Sequence, residues 1–415
     1  MKARIATGEM VFRPDTRDIM PLNYATDRTV EISNQLHINV MILQPENSPV
    51  EFCLITVDSI WISDALADEI RKSLAFSLSI KSEGVSIVAS HSHSTPNNDD
   101  RFKFNFCGNE YLKCLKDSIV NLALQTHLMP REFVTIRAFV AKTEGVSINR
   151  RRLALIPKLF WPSLRVQNLP NRNKKINNFI VSVHFYTKKQ TLRAMIFNFA
   201  CHPVCDPKSY FGSDFPGVLR NELKKQYEGD FSFHFIQGFC GDIRPALFIE
   251  PKTLKDHVLQ LFIGMRFRPS RVGDTDEIAK KILNCFATKE EIELNEDDRP
   301  VAYAKQKKIP ILLEGEFASN RDLDFTRWVF GKINFTFLSA EVLSNFSLQE
   351  KCFNKNVVEI EAGYSNGMLG YLPTKDDFFG GGYEIDASRN KFALPFRISR
   401  SCSAKIQKML SQIIE

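Results

Sequence analysis

Apolar positions along the chain fall into short alternating runs, the two-residue period of strands with one buried face. Such runs predict strands at Glu31 to Leu43, Val50 to Val57, Val85 to His91, Phe133 to Val140, Phe179 to Tyr186, Leu192 to Ala200, Phe231 to Ile236, Ile309 to Leu313 and Val357 to Ala362. Helical spacing lies between them: Leu66, Ile70 and Leu74 form one apolar face within Ser63 to Leu78. Leu219 and Leu223 follow Asp214-Phe215-Pro216, an acceptor side chain and a proline that suit a helix start. The segment Ile398 to Ile413 reads as one amphipathic helix. Interleaved strands and helices give an α/β class, a mixed sheet with flanking helices. No apolar run reaches the length of a membrane-spanning helix.

The 415 residues leave room for two or three domains, but the even interleaving fits one catalytic unit over residues 1–415. A net charge of +7 is mildly basic, and no nucleic-acid partner is expected from it. The N-terminus lacks the apolar core of an export signal, and nine cysteines without a spacing framework suit reduced thiols, so a cytoplasmic location is expected. The charge is unevenly spread. From Gly145 to Cys205 there is no Asp or Glu, whereas Arg150, Arg151, Arg152, Lys158, Arg165, Arg172, Lys174 and Lys175 are basic. With its asparagines and prolines, this stretch predicts a long basic loop at about 146–177. The plain reading is a solvated surface. The sharper one is a rim for an anionic substrate or a peripheral contact with an acidic membrane.

Candidate chemistry sits where strands end. Val85 to His91 runs into Ser92-His93, and on an extended chain His91 and His93 share a face at about 6 to 7 Å. Phe197-Asn198-Phe199-Ala200-Cys201-His202-Pro203 again ends an apolar strand in a histidine. Strand then histidine, twice, is the pattern of a site at the carboxyl edge of a sheet. A third block, Gly238-Phe239-Cys240-Gly241-Asp242-Ile243-Arg244-Pro245, sets Asp242 and Arg244 at the mouth of a glycine turn. The fourth holds Ser339-Ala340-Glu341, the run Gly363-Tyr364-Ser365-Asn366-Gly367-Met368-Leu369-Gly370-Tyr371-Leu372-Pro373-Thr374, and Gly380-Gly381-Gly382-Tyr383-Glu384, whose glycine-rich loop carries two more polar side chains. His234, between Phe233 and Phe235, reads as a satisfied sheet residue.

These blocks, in this order, resemble the N-terminal catalytic domain of the neutral/alkaline non-lysosomal ceramidases, zinc amidases that cut the amide of N-acylsphingosine. The resemblance spans about residues 4 to 390. It implies a neutral-ceramidase-like catalytic fold with Zn2+ held by His91, His202, Glu341 and Tyr371. It further implies that His93 moves protons beside the metal, that Arg150 of Asn149-Arg150 faces the pocket, and that Tyr383 lies near the scissile carbonyl. Two imidazoles, a carboxylate and a phenolate are acceptable zinc ligands, and zinc-bound water with its pKa lowered to about 7 attacks the carbonyl.

Two departures redirect the expectation. Arg244 stands where the ceramidases carry an essential serine. A guanidinium facing a pocket pairs with a carboxylate or phosphate, a charge-assisted bond of about 1.5 to 3 kcal/mol, so Arg244 and Asp242 become substrate-binding candidates. The sequence ends at Glu415, so a C-terminal immunoglobulin-like domain is not expected. The expected function is a zinc-dependent hydrolase, or the reverse amide-forming enzyme, acting on a small or lipid-like carboxamide that carries an anionic group. The alternatives are hydrolysis of N-acylsphingosine lipids and a non-catalytic protein that binds anionic lipid.

Overall fold

A computed structural model of the chain describes residues 1–415 apart from 15–20, 23–30, 103–104, 157–162, 228, 295–300, 316 and 413–415, and apart from the side chains of 259, 262 and 263. The larger sheet runs, in spatial order, Ser232–Gln237, Leu192–Phe199, Phe179–Thr187, Glu132–Lys142, Lys2–Phe12, Leu36–Pro45, Phe52–Val57 and Val85–Ala89, with Glu290–Ile292 added beside Glu132–Lys142. The first two strands are parallel, as are the last two, and the pairs between them are antiparallel. The sheet is therefore mixed. It also curls, because the Thr56 hydroxyl near one end lies 3.2 Å from Nδ1 of His234 at the other.

A second sheet of Ala302–Leu312, Ala318–Phe330, Ile333–Leu338 and Val358–Ala362 packs against it. Ile5, Leu43 and Phe52 of the first sheet share one core with Trp328, Phe335, Phe337 and Ile360 of the second. Strands covered on both faces carry continuous apolar runs, as Phe52–Val57 does. Helices close the outer faces. Asp64–Ser77 starts at Ser63, whose hydroxyl accepts from the backbone N–H of Leu66, and buries Leu66, Ile70 and Leu74. Gly108–Leu128 lies beside it, Asp214–Gln226 and Asp274–Phe286 cover the other half, and Arg400–Gln412 covers the second sheet. No helix among the described residues is long and apolar enough to cross a membrane.

The stretch expected to be a long loop is instead a hairpin of Ser147–Ile156 and Ser163–Asn171, extended by Ile243–Pro245 into a three-stranded sheet. Its strand period is masked because consecutive arginines, 150 and 151, are both buried on a partner far away in sequence, Glu384.

Inside the sandwich, the strand Val358–Ala362 carries two buried acids. Glu359 pairs with Arg327. Glu361 has no cationic partner among the described residues, and burial, reinforced by Glu359, pushes its pKa up to about 8. The folded chain thus holds a proton on Glu361 that an unfolded chain loses above its ordinary value near 4.5. Its contribution is complete below that value and is lost as pH rises toward 8. The melting temperature is expected to fall between pH 5.5 and 8. Glu361→Gln should flatten that slope by an amount on the order of a few kcal/mol in stability. Parallel slopes in calorimetric scans of the two proteins would contradict this.

Candidate metal centre

The site forms where the C-terminal ends of three strands meet. Val85–Ala89 stops at Ala89, and the chain turns as the N–H groups of Ser90 and His91 donate to the carbonyls of Val57 and Ser59. His91 takes a left-handed φ of 63°, which a branched-free but bulky residue adopts only when its surroundings hold it there. His91 and His93 are thus not successive outward positions of an extended strand, as expected above. The turn brings their Nε2 atoms to 3.3 Å. Leu192–Phe199 runs out through Ala200 and Cys201 to His202, and the N–H of His93 donates to the carbonyl of Pro203 at 3.1 Å. The ligand nitrogens of His91, His93 and His202 all lie within 4.8 Å of one another.

Glu341 lies three residues past the strand Ile333–Leu338 of the second sheet. It pairs in register with Tyr371 in a short parallel ladder, and its N–H donates to the carbonyl of Gly370 at 2.8 Å. Its Oε1 is 2.8 Å from Nε2 of His202 and 3.6 Å from Nε2 of His91. Tyr371 does not touch the histidines directly. Its hydroxyl accepts from Nη2 of Arg150 at 2.8 Å, and the same nitrogen donates to the carbonyl of Gly241 while Nε donates to Glu384, also at 2.8 Å each. The Tyr383 ring stands 5.7 Å from that of Tyr371, edge to face, and no described residue hydrogen-bonds its hydroxyl.

The donor set can be tested for a cation. His202 turns Nδ1 to the carbonyls of Cys240 and Ile243, at 2.8 and 2.9 Å, and Nε2 to Glu341. Burial, then Arg150, pushes its pKa down to about 4, so at neutral pH the ring carries one proton for two groups of acceptors. Glu341 is held well below the carboxylate range; burial alone would raise it, but His91 and His202 prevail. Nε2 of His202 and Oε1 of Glu341, buried and 2.8 Å apart, are two ligand atoms that one divalent ion can hold together. His91 likewise directs Nδ1 to the carbonyl of Ile60 at 2.8 Å, leaving Nε2 toward the centre, the support that metal-ligating histidines require. Imidazole and carboxylate donors in a dry cleft suit zinc.

The two substrate-binding candidates part company. Asp242 is fully buried and accepts from the Asn149 side chain (2.7 Å), the Ser344 N–H (2.7 Å) and hydroxyl (3.1 Å), and Lys174 (3.2 Å). It braces the strand that carries Arg150, with Oδ2 taking the Asn149, Lys174 and Ser344 side chains and Oδ1 the Ser344 N–H. Arg244 lies opposite Ile148 in the ladder, close enough to Arg150, two residues further along that strand, for the two charges to act on each other. Arg244 is half-buried over the ring of Phe267, 4.8 Å from its centroid, with no carboxylate partner among the described residues. Burial and then Arg150 push its pKa down to about 10, which leaves it charged.

Two supporting residues lie in the fourth block of the sequence but were given no role there. Glu384 bonds both Arg150 and Arg151, and the only signal for it is an acid following three glycines. Tyr364 stacks on His91 with ring centroids 3.8 Å apart and an angle of 19°. It also has a left-handed φ, 52°, and its N–H and carbonyl tie Ala340 to Ala89.

No family model and no curated protein matches the sequence. Solved structures do match the fold. All of the chain superposes on 74% of a neutral ceramidase from Pseudomonas aeruginosa with a TM-score of 0.73 and 13% identity. It superposes as fully on 75% of a structure described as ceramidase complexed with C2, with a TM-score of 0.74 and 12% identity.

Proposed function

Taking the neutral ceramidase fold as the premise, we propose that this chain is a zinc-dependent amidohydrolase that cleaves the C–N bond of an N-acyl compound bearing a carboxylate or phosphate. The observation that carries the reading is the convergence of His91, His202 and Glu341, from three separate parts of the chain, on one buried point beside His93. Bound zinc supplies Lewis acidity and lowers the pKa of water to about 7. His91, His202 and Glu341 would hold it, with Tyr371, whose hydroxyl now accepts from Arg150, as the fourth donor. His93 takes the proton released on attack and passes it to the departing amine. The Tyr383 hydroxyl donates to the carbonyl oxygen as negative charge develops there. Arg150 keeps the Tyr371 oxygen in place. The same site lowers the barrier for amide formation, so the direction follows the concentrations of amine and acid.

Arg244 selects the anionic group, since a desolvated guanidinium without a carboxylate partner favours a ligand that brings one. Neutral N-acylsphingosine is the rival substrate, supported by the ceramidase likeness of the fold. The test is hydrolysis of an N-acyl amino acid and of its neutral primary-amide counterpart, with and without chelator. Chelation should abolish both activities and added zinc restore them. Arg244→Ser should lower kcat/KM on the carboxylate substrate about 10- to 100-fold, the equivalent of one charge-assisted bond, and leave the neutral one within a factor of about three. Equal losses on both would remove Arg244 from substrate selection, and activity that survives chelation would refute the metal reading.

A further inference from the structure

Between the helix Asp64–Ser77, the turn at Ser82 and the edge strand Ala302–Leu312 lies an open cleft of about 370 Å³, lined by Asp68, Arg71, Lys72, Ser82, Gln306 and Lys308. Asp68, Arg71 and Lys72 stand at i, i+3 and i+4 and share one face of the helix. Gln306 and Lys308, two residues apart, share one face of the strand. Every side chain in this wall is polar, and none belongs to the metal centre.

The acids of the cleft do not exhaust its donors. Asp324 lies beneath it, 1% exposed, and is saturated: Oδ2 accepts from Nη1 of Arg71 at 3.2 Å, from Nζ of Lys308 at 3.0 Å and from the Gln306 amide, and Oδ1 accepts from the Thr326 hydroxyl at 2.9 Å. Asp68 is the one acid in the wall, and Lys308 reaches it at 3.4 Å. Glu83 follows Ser82 but does not line the cleft. Against these two carboxylates stand three cations. Arg71, 2% exposed, spends three of its five N–H groups on Asp324 and on the carbonyls of Val85 and Ser82. That leaves two for a ligand on a floor pinned at three points. Lys72 is exposed and has no hydrogen-bond or ion-pair partner among the described residues.

We infer that this cleft binds a small phosphorylated polyol of the sugar phosphate class. Its phosphate meets Lys72, Lys308 and the two spare N–H groups of Arg71, and its hydroxyls meet Ser82, Gln306 and Asp68. The surplus of donors selects the anion: N–H groups converging from a helix and a strand around one excess positive charge suit a compact group with several terminal oxygens. The wall selects the rest of the molecule. It has no aromatic ring on which a base could stack and no aliphatic side chain for an acyl chain, whereas a hydroxyl, an amide and a carboxylate are partners for a polyol. At about 30 Å³ per water the cleft has room for about twelve, more than a bare phosphate fills. This site is separate from Arg244 and stands whether or not the amidase reading holds.

The experiment is isothermal titration calorimetry of the full chain with glucose 6-phosphate, inorganic phosphate and glucose. Glucose 6-phosphate is expected to bind at least about 10-fold more tightly than inorganic phosphate, with added salt weakening both, and glucose to give no binding heat. Lys72→Glu reverses a charge that has no partner to lose, so it should melt like the wild type and weaken glucose 6-phosphate at least about 10-fold. Asp68→Asn removes the one acid of the wall, keeps an acceptor oxygen there, and should tighten binding about threefold. Arg244→Ser should leave the affinity unchanged. The proposal is overturned by a wild type that does not bind glucose 6-phosphate, by Lys72→Glu binding it as the wild type does, or by equal affinities for glucose 6-phosphate and inorganic phosphate. Loss of binding in Arg244→Ser with retention in Lys72→Glu would likewise overturn it, by placing the anion at the metal centre.

Discussion

Replacing His202 with alanine is expected to strip the metal from the purified protein and to lower amide hydrolysis by about 10³-fold or more. The ring is the meeting point of two structural halves. Its Nδ1 side is fixed by the carbonyls that follow the strand Ser232–Gln237, and its Nε2 side meets Glu341, three residues past a strand of the second sheet. Alanine removes one donor and leaves Glu341 buried with a more distant partner, His91, at 3.6 Å. A metal that supplies several kcal/mol of charge stabilisation accounts for a loss of this size, since about 1.4 kcal/mol is tenfold in rate. Metal content by atomic emission should fall from about one zinc per chain to near zero. His234→Gln is the matched control. That histidine is as deeply buried, but it bonds Thr56 and Ser232 within the sheet, so its replacement should cost stability and leave the zinc in place. Full zinc occupancy in His202→Ala would place the metal elsewhere.

Arg150→Met is expected to give the largest loss of stability among the site variants, about 3 to 5 kcal/mol. The guanidinium is buried and serves three acceptors at once: Glu384, the Gly241 carbonyl and the Tyr371 hydroxyl. Methionine fills much of the volume but leaves the carbonyl unsatisfied and Glu384 dependent on Arg151 alone. With an unfolding entropy of about 2.1 cal/mol/K per residue, the melting temperature should drop by roughly 3 to 6 °C. Arg150→Lys should recover little of this, because one ammonium cannot reproduce a planar fork across three acceptors. A lysine variant that melts like the wild type would show that charge alone matters at this position.

The sequence pattern was most informative where burial is two-sided and the apolar run continuous. Phe179–Thr187 and Leu192–Phe199 match the predicted strands to within a residue or so. Lys2–Phe12 was not among the predicted elements, because Thr7, Gly8 and Glu9 interrupt its apolar alternation; Gly8 is there because a side chain would collide with Thr126 of the covering helix. Gly108–Leu128 and Asp274–Phe286 were also not predicted, although Leu115 with Ile119 and Ile278 with Ile282 carry the helical spacing. At the site, the strand-end histidines and Glu341 were legible through their motifs. The roles of Asp242 and Glu384 were not, since an acid that braces the protein and one that binds a ligand look alike until their partners are known. Those partners are the Asn149, Lys174 and Ser344 side chains in one case and two adjacent arginines in the other.

The ladder that pairs Glu341 with Tyr371 has a consequence for synthesis on the ribosome. The histidines emerge first, but the carboxylate and phenol that complete their surroundings follow His202 by 139 and 169 residues. A nascent chain can therefore build most of the larger sheet while remaining inert. Catalytic competence would arrive as a late, single event, after the segment through Glu384 has cleared the exit tunnel and docked.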